Sequence, residues 1–184
     1  MTTFYLLRHG EPDWDFKEER QLNAAMRDFV PLTANGVKQA EQVMEVHPYL
    51  SECEIIISSP YTRSLQTASL INRFLGKPLQ VEFDLHEWIP DRWQAQNVQE
   101  IKELWNDYKK HDGCYPIGET RLWETKENIH NRTRGVLKKY TNYSKVIVVC
   151  HAVVISALLN ISKDINLCGV HEFHLTINKN ELGK

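Results

Sequence analysis

Apolar residues are distributed along this chain in two rhythms. Phe4-Tyr5-Leu6-Leu7 is an unbroken run that stops at Arg8-His9-Gly10, as expected of a strand buried on both faces that ends at a polar sheet edge. Ile55-Ile56-Ile57 and Lys145 to Cys150, which contains Val146-Ile147-Val148-Val149, repeat the pattern, and the latter runs directly into His151. Leu79 to Phe83 predicts a further strand. Between these runs the spacing becomes helical. Val37, Ala40, Met44 and His47, with Val43 and Val46 alongside, predict a helix over 34 to 47 capped by Thr33. Leu65, Ala68, Ile71 and Leu75 predict a second, with Ser59 as cap, Pro60 at its first position, and Gly76 and Pro78 ending it. Ala152 to Ile161 is an apolar helix. His171, Phe173, Leu175 and Ile177 alternate with Glu172, His174 and Thr176, the period of a half-exposed antiparallel edge strand.

This order implies an α/β fold: a three-layer α/β/α sandwich around a mostly parallel sheet with an antiparallel edge strand. At 184 residues, one domain spanning 1–184 is expected. Residues 84–123 depart from the pattern, holding four of the five tryptophans and breaking at Pro90, Gly113, Pro116 and Gly118 around a helix near Val98 to Tyr108. An aromatic, irregular insertion of this kind is expected to cover the active site.

Twenty-two Lys and Arg against 24 Asp and Glu leave a net charge of −2, which supplies no field for nucleic acid or an anionic membrane, so neither is expected as a partner. The opening stretch has no basic leader and meets charge at Arg8, so no signal or membrane span is expected and a cytoplasmic location follows. Cys53, Cys114, Cys150 and Cys168 lie too far apart for a C-x-x-C pair, so neither a disulfide frame nor a metal site is expected. Oligomeric state is not legible.

Ligands of open α/β sheets bind beyond the carboxyl ends of the strands, where His9 and His151 stand. Arg8 adjoins the first, and Arg63 falls in the opening turn of a helix whose dipole adds positive potential. Taken singly, each of these residues reads as structural or as a surface ion-pair former. Their joint placement describes an anion pocket: guanidinium groups present paired donors to phosphate oxygens, and a neutral imidazole attacks phosphorus without a metal or other cofactor.

Leu7-Arg8-His9-Gly10-Glu11 resembles the signature of the histidine phosphatase superfamily in its phosphoglycerate-mutase-like branch. So do Pro31-Leu32-Thr33 with Gly36, Gln39 and Ala40, the stretch Ser58 to Ala68, and Val148-Val149-Cys150-His151, in order along the chain from Phe4 to about Leu159. The resemblance implies His9 as the phosphorylated nucleophile, Arg8, Arg63 and His151 as phosphoryl-binding residues, and Glu87, in Leu85-His86-Glu87, as general acid and base. It also aligns Gly118-Glu119-Thr120 with a Gly-Glu-Ser stretch ahead of a long helix. Pro12, Asp15 and Ala152 depart from the pattern: Asp15 is expected to turn away from phosphate, and Ala152 to tighten the pocket. Trp88 and Trp93 are expected in the core of the insertion, with His86 and Arg92 as specificity candidates.

These residues lead to the expectation of a metal-independent phosphomonoesterase acting through a phosphohistidine on a small phosphorylated metabolite. The alternatives are a cofactor-dependent phosphoglycerate mutase and a phosphate-ester-binding protein without turnover.

Overall fold

The computed structural model describes residues 1–94 and 98–176, without the side chains of Ala24 and Ala25. Strands β1 (Thr2–Arg8), β2 (Ile55–Ser58), β3 (Leu79–Val81), β4 (Lys145–Cys150) and β5 (Val170–Leu175) form a sheet in the order β3-β2-β4-β1-β5. The pairs within β3-β2-β4-β1 are parallel, and β5 lies antiparallel on β1. Ile177, expected in the edge strand, lies outside the described residues.

The continuous apolar runs are explained by what covers each face. Successive strand side chains point to opposite sides, so Tyr5, Leu7, Ile56, Ile147 and Val149 meet Val43 of α2 (Ala34–Val46) and Ala68 and Ile71 of α3 (Thr62–Leu75). Phe4, Leu6, Ile55, Ile57, Val146 and Val148 face the other way, against Ile129, Val136 and Leu137 of α5 (Lys126–Lys138) and Val154, Ile155 and Leu158 of α6 (Ala152–Leu159). Each fully buried Leu, Ile or Val contributes roughly 1.5–3 kcal/mol. The insertion has its own aromatic centre, in which Trp105, on α4 (Val98–Lys110), stacks on Tyr108 with ring centroids 5.3 Å apart and meets Trp88 at 5.2 Å. No helix among the described residues is long and apolar enough to cross a membrane.

Several local signals act as expected. Thr33 Oγ1 accepts from Gly36 N at 2.9 Å to cap α2, and Gly76, with φ +60°, closes α3. Others are redirected. The helix after β2 starts at Thr62 with Tyr61 as its cap residue, and the Ser59 hydroxyl bonds His151 at 2.7 Å while accepting from Tyr61 N at 3.3 Å. β3 stops at Val81, because Phe83–Leu85 turns into a 3-10 segment. Three short elements are not predicted by spacing: α1 (Trp14–Glu19) and the 3-10 segments Ala24–Phe29 and Pro48–Glu52.

The loop leaving β1 is pressed backbone to backbone against the start of α2. A Cβ on Gly10 would stand 2.5 Å from the Gly36 carbonyl oxygen, and one on Gly36 would collide with the Glu11 carbonyl. Side chains from three directions tie the loop down: Gln39 Oε1 accepts from Glu11 N at 2.9 Å, Thr67 Oγ1 from Gly10 N at 3.1 Å, and Thr33 Oγ1 donates to Glu11 Oε1 at 2.7 Å. Gly36→Ala is therefore expected to cost about 1–3 kcal/mol, the usual range for overpacking. It should appear as a lower urea midpoint at unchanged slope.

Candidate active site

Register alone brings the chemistry together. β1 and β4 are parallel neighbours with Arg8 opposite Cys150, so the next residue of each strand, His9 and His151, emerge side by side with ring centroids 5.1 Å apart. β2 flanks β4 with Ser58 opposite Val149, which sets Ser59 against the His151 ring. α3 begins three residues later and turns Arg63 inward.

His9 is 4% exposed, and both its ring nitrogens are engaged. Nδ1 lies 2.7 Å from the Gly10 carbonyl oxygen, which only accepts, so Nδ1 carries the proton. Arg63 Nε donates to Nε2 at 3.2 Å, which requires a lone pair there. The two bonds specify one neutral tautomer. Burial, reinforced by the charges of Arg63 and Arg8, holds its pKa down to about 3 against the pull of the Gly10 carbonyl.

Arg63 is also buried. Its Nη1 donates to the Arg27 carbonyl at 3.1 Å and its Nη2 lies 3.5 Å from His151 Nδ1, so two of the guanidinium's five N–H donors remain for a ligand. His151 is fully buried behind it. Burial first, then the neighbouring Arg63, lowers its pKa well below the ordinary histidine value. Arg8 donates to the Ile165 carbonyl through Nη1, while its buried Nε has no partner among the described residues.

Glu87 reaches the same cavity from the insertion. Its Oε1 accepts from Trp88 N at 2.9 Å. Desolvation raises its pKa, opposed by the amides of Trp88 and Val153 and by the Arg63 charge, so the carboxyl is biased toward the protonated form a donor needs. Arg8, His9, Arg63 and Glu87 together line a cavity of about 210 Å³, and Trp88, Pro90 and Ile101 of the insertion form part of its wall. His151 is not on that wall; it touches Arg63 and Ser59 from beneath.

Of the departing positions, Pro12 lines the cavity and bridges to Leu32, and Asp15 is exposed on α1 away from it. Arg92 borders a separate hollow with Tyr115 and Trp123, and His86 is buried against Tyr61 and Trp93, so neither faces the cavity. Trp88 joins the aromatic core as expected, whereas Trp93 is 39% exposed. The Glu-Thr pair directly ahead of the long helix α5 is Glu124-Thr125, with Thr125 as its cap. Glu119 and Thr120 lie further upstream. Spacing missed Arg27 and Asp28, which the 3-10 segment presents to the cavity, where Arg27 pairs with Asp91 at 3.1 Å. The only local mark of that segment is its cap, Asn23 Oδ1 accepting from Met26 N.

Residues 4–180 match the profile of the histidine phosphatase superfamily (branch 1). The chain belongs to that superfamily. As a histidine phosphatase it is 34% identical over 163 residues to the uncharacterized phosphatase PhoE of Bacillus subtilis, covering 86% of this chain and 76% of PhoE. It is 30% identical over 166 residues to the probable phosphoglycerate mutase GpmB of Salmonella typhi, covering 87% of this chain and 74% of GpmB. Among solved structures, a mycobacterial glucosyl-3-phosphoglycerate phosphatase in complex with VO3 superposes with a TM-score of 0.69 at 19% identity, over 94% of this chain and 90% of that one, which shows a shared fold.

In this histidine phosphatase the neutral state of His9 has a thermodynamic signature. Its folded pKa, about 3, lies below the ordinary 6.5, so below pH 6.5 the unfolded chain binds the extra proton and stability falls as pH drops through that window. Glu87, shifted upward, acts with the opposite sign. Unfolding free energy is expected to decline between pH 7 and 5, by up to roughly 1.4 kcal/mol per pH unit for each histidine held neutral. Urea melts of wild type and His9→Asn across that range should differ in slope by one histidine's share.

Proposed function

We propose that this histidine phosphatase hydrolyses phosphomonoesters of small metabolites through a phosphohistidine on His9, with no metal or other cofactor. The observation that carries the reading is the tautomer: His9 Nδ1 is committed to the Gly10 carbonyl, which leaves Nε2 as the nucleophilic nitrogen in the cavity shared by Arg8, Arg63 and Glu87.

In the first step His9 Nε2 attacks phosphorus, the bond to the ester oxygen breaks, and Glu87 gives that oxygen its proton. In the second, the Glu87 carboxylate takes a proton from water as the water oxygen attacks phosphorus, the P–N bond breaks, and phosphate leaves with His9 neutral again. The free donors of Arg63 and the unpartnered Nε of Arg8 neutralise charge on the equatorial oxygens. His151 does not reach the cavity wall and serves phosphoryl binding indirectly, by holding the Arg63 guanidinium in place from behind. The chain acts as one domain, with residues 84–123 covering the site and contributing Glu87, Trp88, Pro90 and Ile101 to it.

A mutase reading has one observation in its favour, the similarity to GpmB, named a probable phosphoglycerate mutase. Supplying 3-phosphoglycerate separates the two: the phosphatase releases phosphate, and the mutase interconverts the isomers.

Rapid quenching during turnover is expected to trap an acid-labile, alkali-stable phosphoryl adduct, and His9→Ala to abolish both adduct and activity; near-normal turnover by that variant would refute the mechanism. Glu87→Gln should slow single-turnover adduct formation from an alkyl phosphate by roughly 10²–10⁴-fold, the usual worth of a general acid. A p-nitrophenyl ester, whose leaving group needs no proton, should lose much less. Arg63→Lys keeps the charge but loses the planar pair of donors. Its kcat/KM should fall far more than its stability, a contrast read from steady-state kinetics beside urea melts.

A further inference from the structure

The loop that carries Glu87 follows the 3-10 segment Phe83–Leu85 and has no ladder of its own to hold it. It is fastened instead from α5. Arg132 grips Glu124 with two parallel bonds, Nε to Oε1 at 2.6 Å and Nη2 to Oε2 at 3.0 Å, and both side chains are only 12% exposed. The same guanidinium donates to the peptide carbonyls of Asp84, through Nη1 at 2.5 Å, and of Glu87, through Nη2 at 3.5 Å. Glu124 takes hold of the next two residues: its amide donates to the Ile89 carbonyl at 2.8 Å, and its own carbonyl accepts from Trp88 Nε1 at 3.0 Å. Peptide groups at 84, 87 and 89 are thus attached to one largely enclosed ion pair, and the Trp88 amide that aims the Glu87 carboxylate lies within that span.

We propose that Arg132, seated by Glu124, is the positioning residue that sets Glu87 where it transfers its proton. The inference rests on the reading of Glu87 as the proton donor. Arg132 bonds the loop through backbone carbonyls, makes no bond to the Glu87 carboxylate and does not line the cavity; its charge adds a minor downward pull on the Glu87 pKa, which lysine would keep. Its planar fork suits this task, because one rigid group fixes a carboxylate and two carbonyls at set angles, which an ammonium cannot do. A proton donor displaced by about 1 Å loses on the order of a hundredfold in rate, so the loop needs such a fixture.

The test is Arg132→Lys, alone and combined with Glu87→Gln, in single-turnover phosphohistidine formation from glycerol phosphate and from p-nitrophenyl phosphate. With Arg132→Lys alone, the alkyl ester is expected to slow by about tenfold to a hundredfold and the aryl ester by only a small factor. In the Glu87→Gln background, Arg132→Lys should add almost nothing, because the two residues serve one step. Equal loss for both esters, or a full additive loss in the Glu87→Gln background, would overturn the proposal by showing that Arg132 supports the fold at large. Glu124→Gln gives the same comparison if Arg132→Lys does not fold; if neither variant folds, the pair is a determinant of the fold and the inference falls. Wild-type protein that forms no phosphohistidine from either ester would instead remove the reading of the site beneath it.

Discussion

The 2.7 Å bond from His9 Nδ1 to the Gly10 carbonyl constrains everything around it. An imidazole buried beside two guanidinium groups must stay neutral, and a neutral imidazole has one donor and one acceptor whose assignment decides which nitrogen can attack. The carbonyl settles the assignment only if it is held still, two residues beyond the end of a strand. That explains why the loop from Gly10 to Glu11 is fastened by Gln39, Thr67 and Thr33 and packed against Gly36 with no room for a Cβ on either side. Residues that never touch the cavity thereby fix the proton on the ring that lines it.

Arg63 is governed by the same constraint from the other side. It supplies the bond that requires the Nε2 lone pair, and its charge joins burial in lowering the pKa of both histidines. Thr67, one turn further along α3, accepts from the Gly10 amide and donates to the Arg63 carbonyl at 2.8 Å, so the nucleophile's loop and the arginine's helix share one hydroxyl.

What was legible in the sequence follows from these physics. Strands buried on both faces write uninterrupted apolar runs, so β1, β2 and β4 were readable, and their shared polarity implied that His9 and His151 would meet. Signals with two uses mislead: Ser59 stands where a cap belongs and its hydroxyl accepts from Tyr61 N, yet its shorter bond is to His151 and α3 starts only at Thr62. Glu119-Thr120 and Glu124-Thr125 are equivalent by residue type, and only the start of α5 and the Arg132 pairing distinguish them. Arg27 and Asp28 sit on a 3-10 segment too short to write a period, so their arrival in the cavity depends on contacts that a one-dimensional pattern does not encode.

The bond from Arg63 Nε to His9 Nε2 ties the nucleophile to its phosphate-binding partner. The lone pair proposed to attack phosphorus is the acceptor of that bond, and its donor is the cation that a phosphate dianion attracts. On the proposed mechanism, one guanidinium therefore serves both partners of the reaction, holding the attacking nitrogen through Nε and offering its remaining donors to the phosphate that nitrogen attacks.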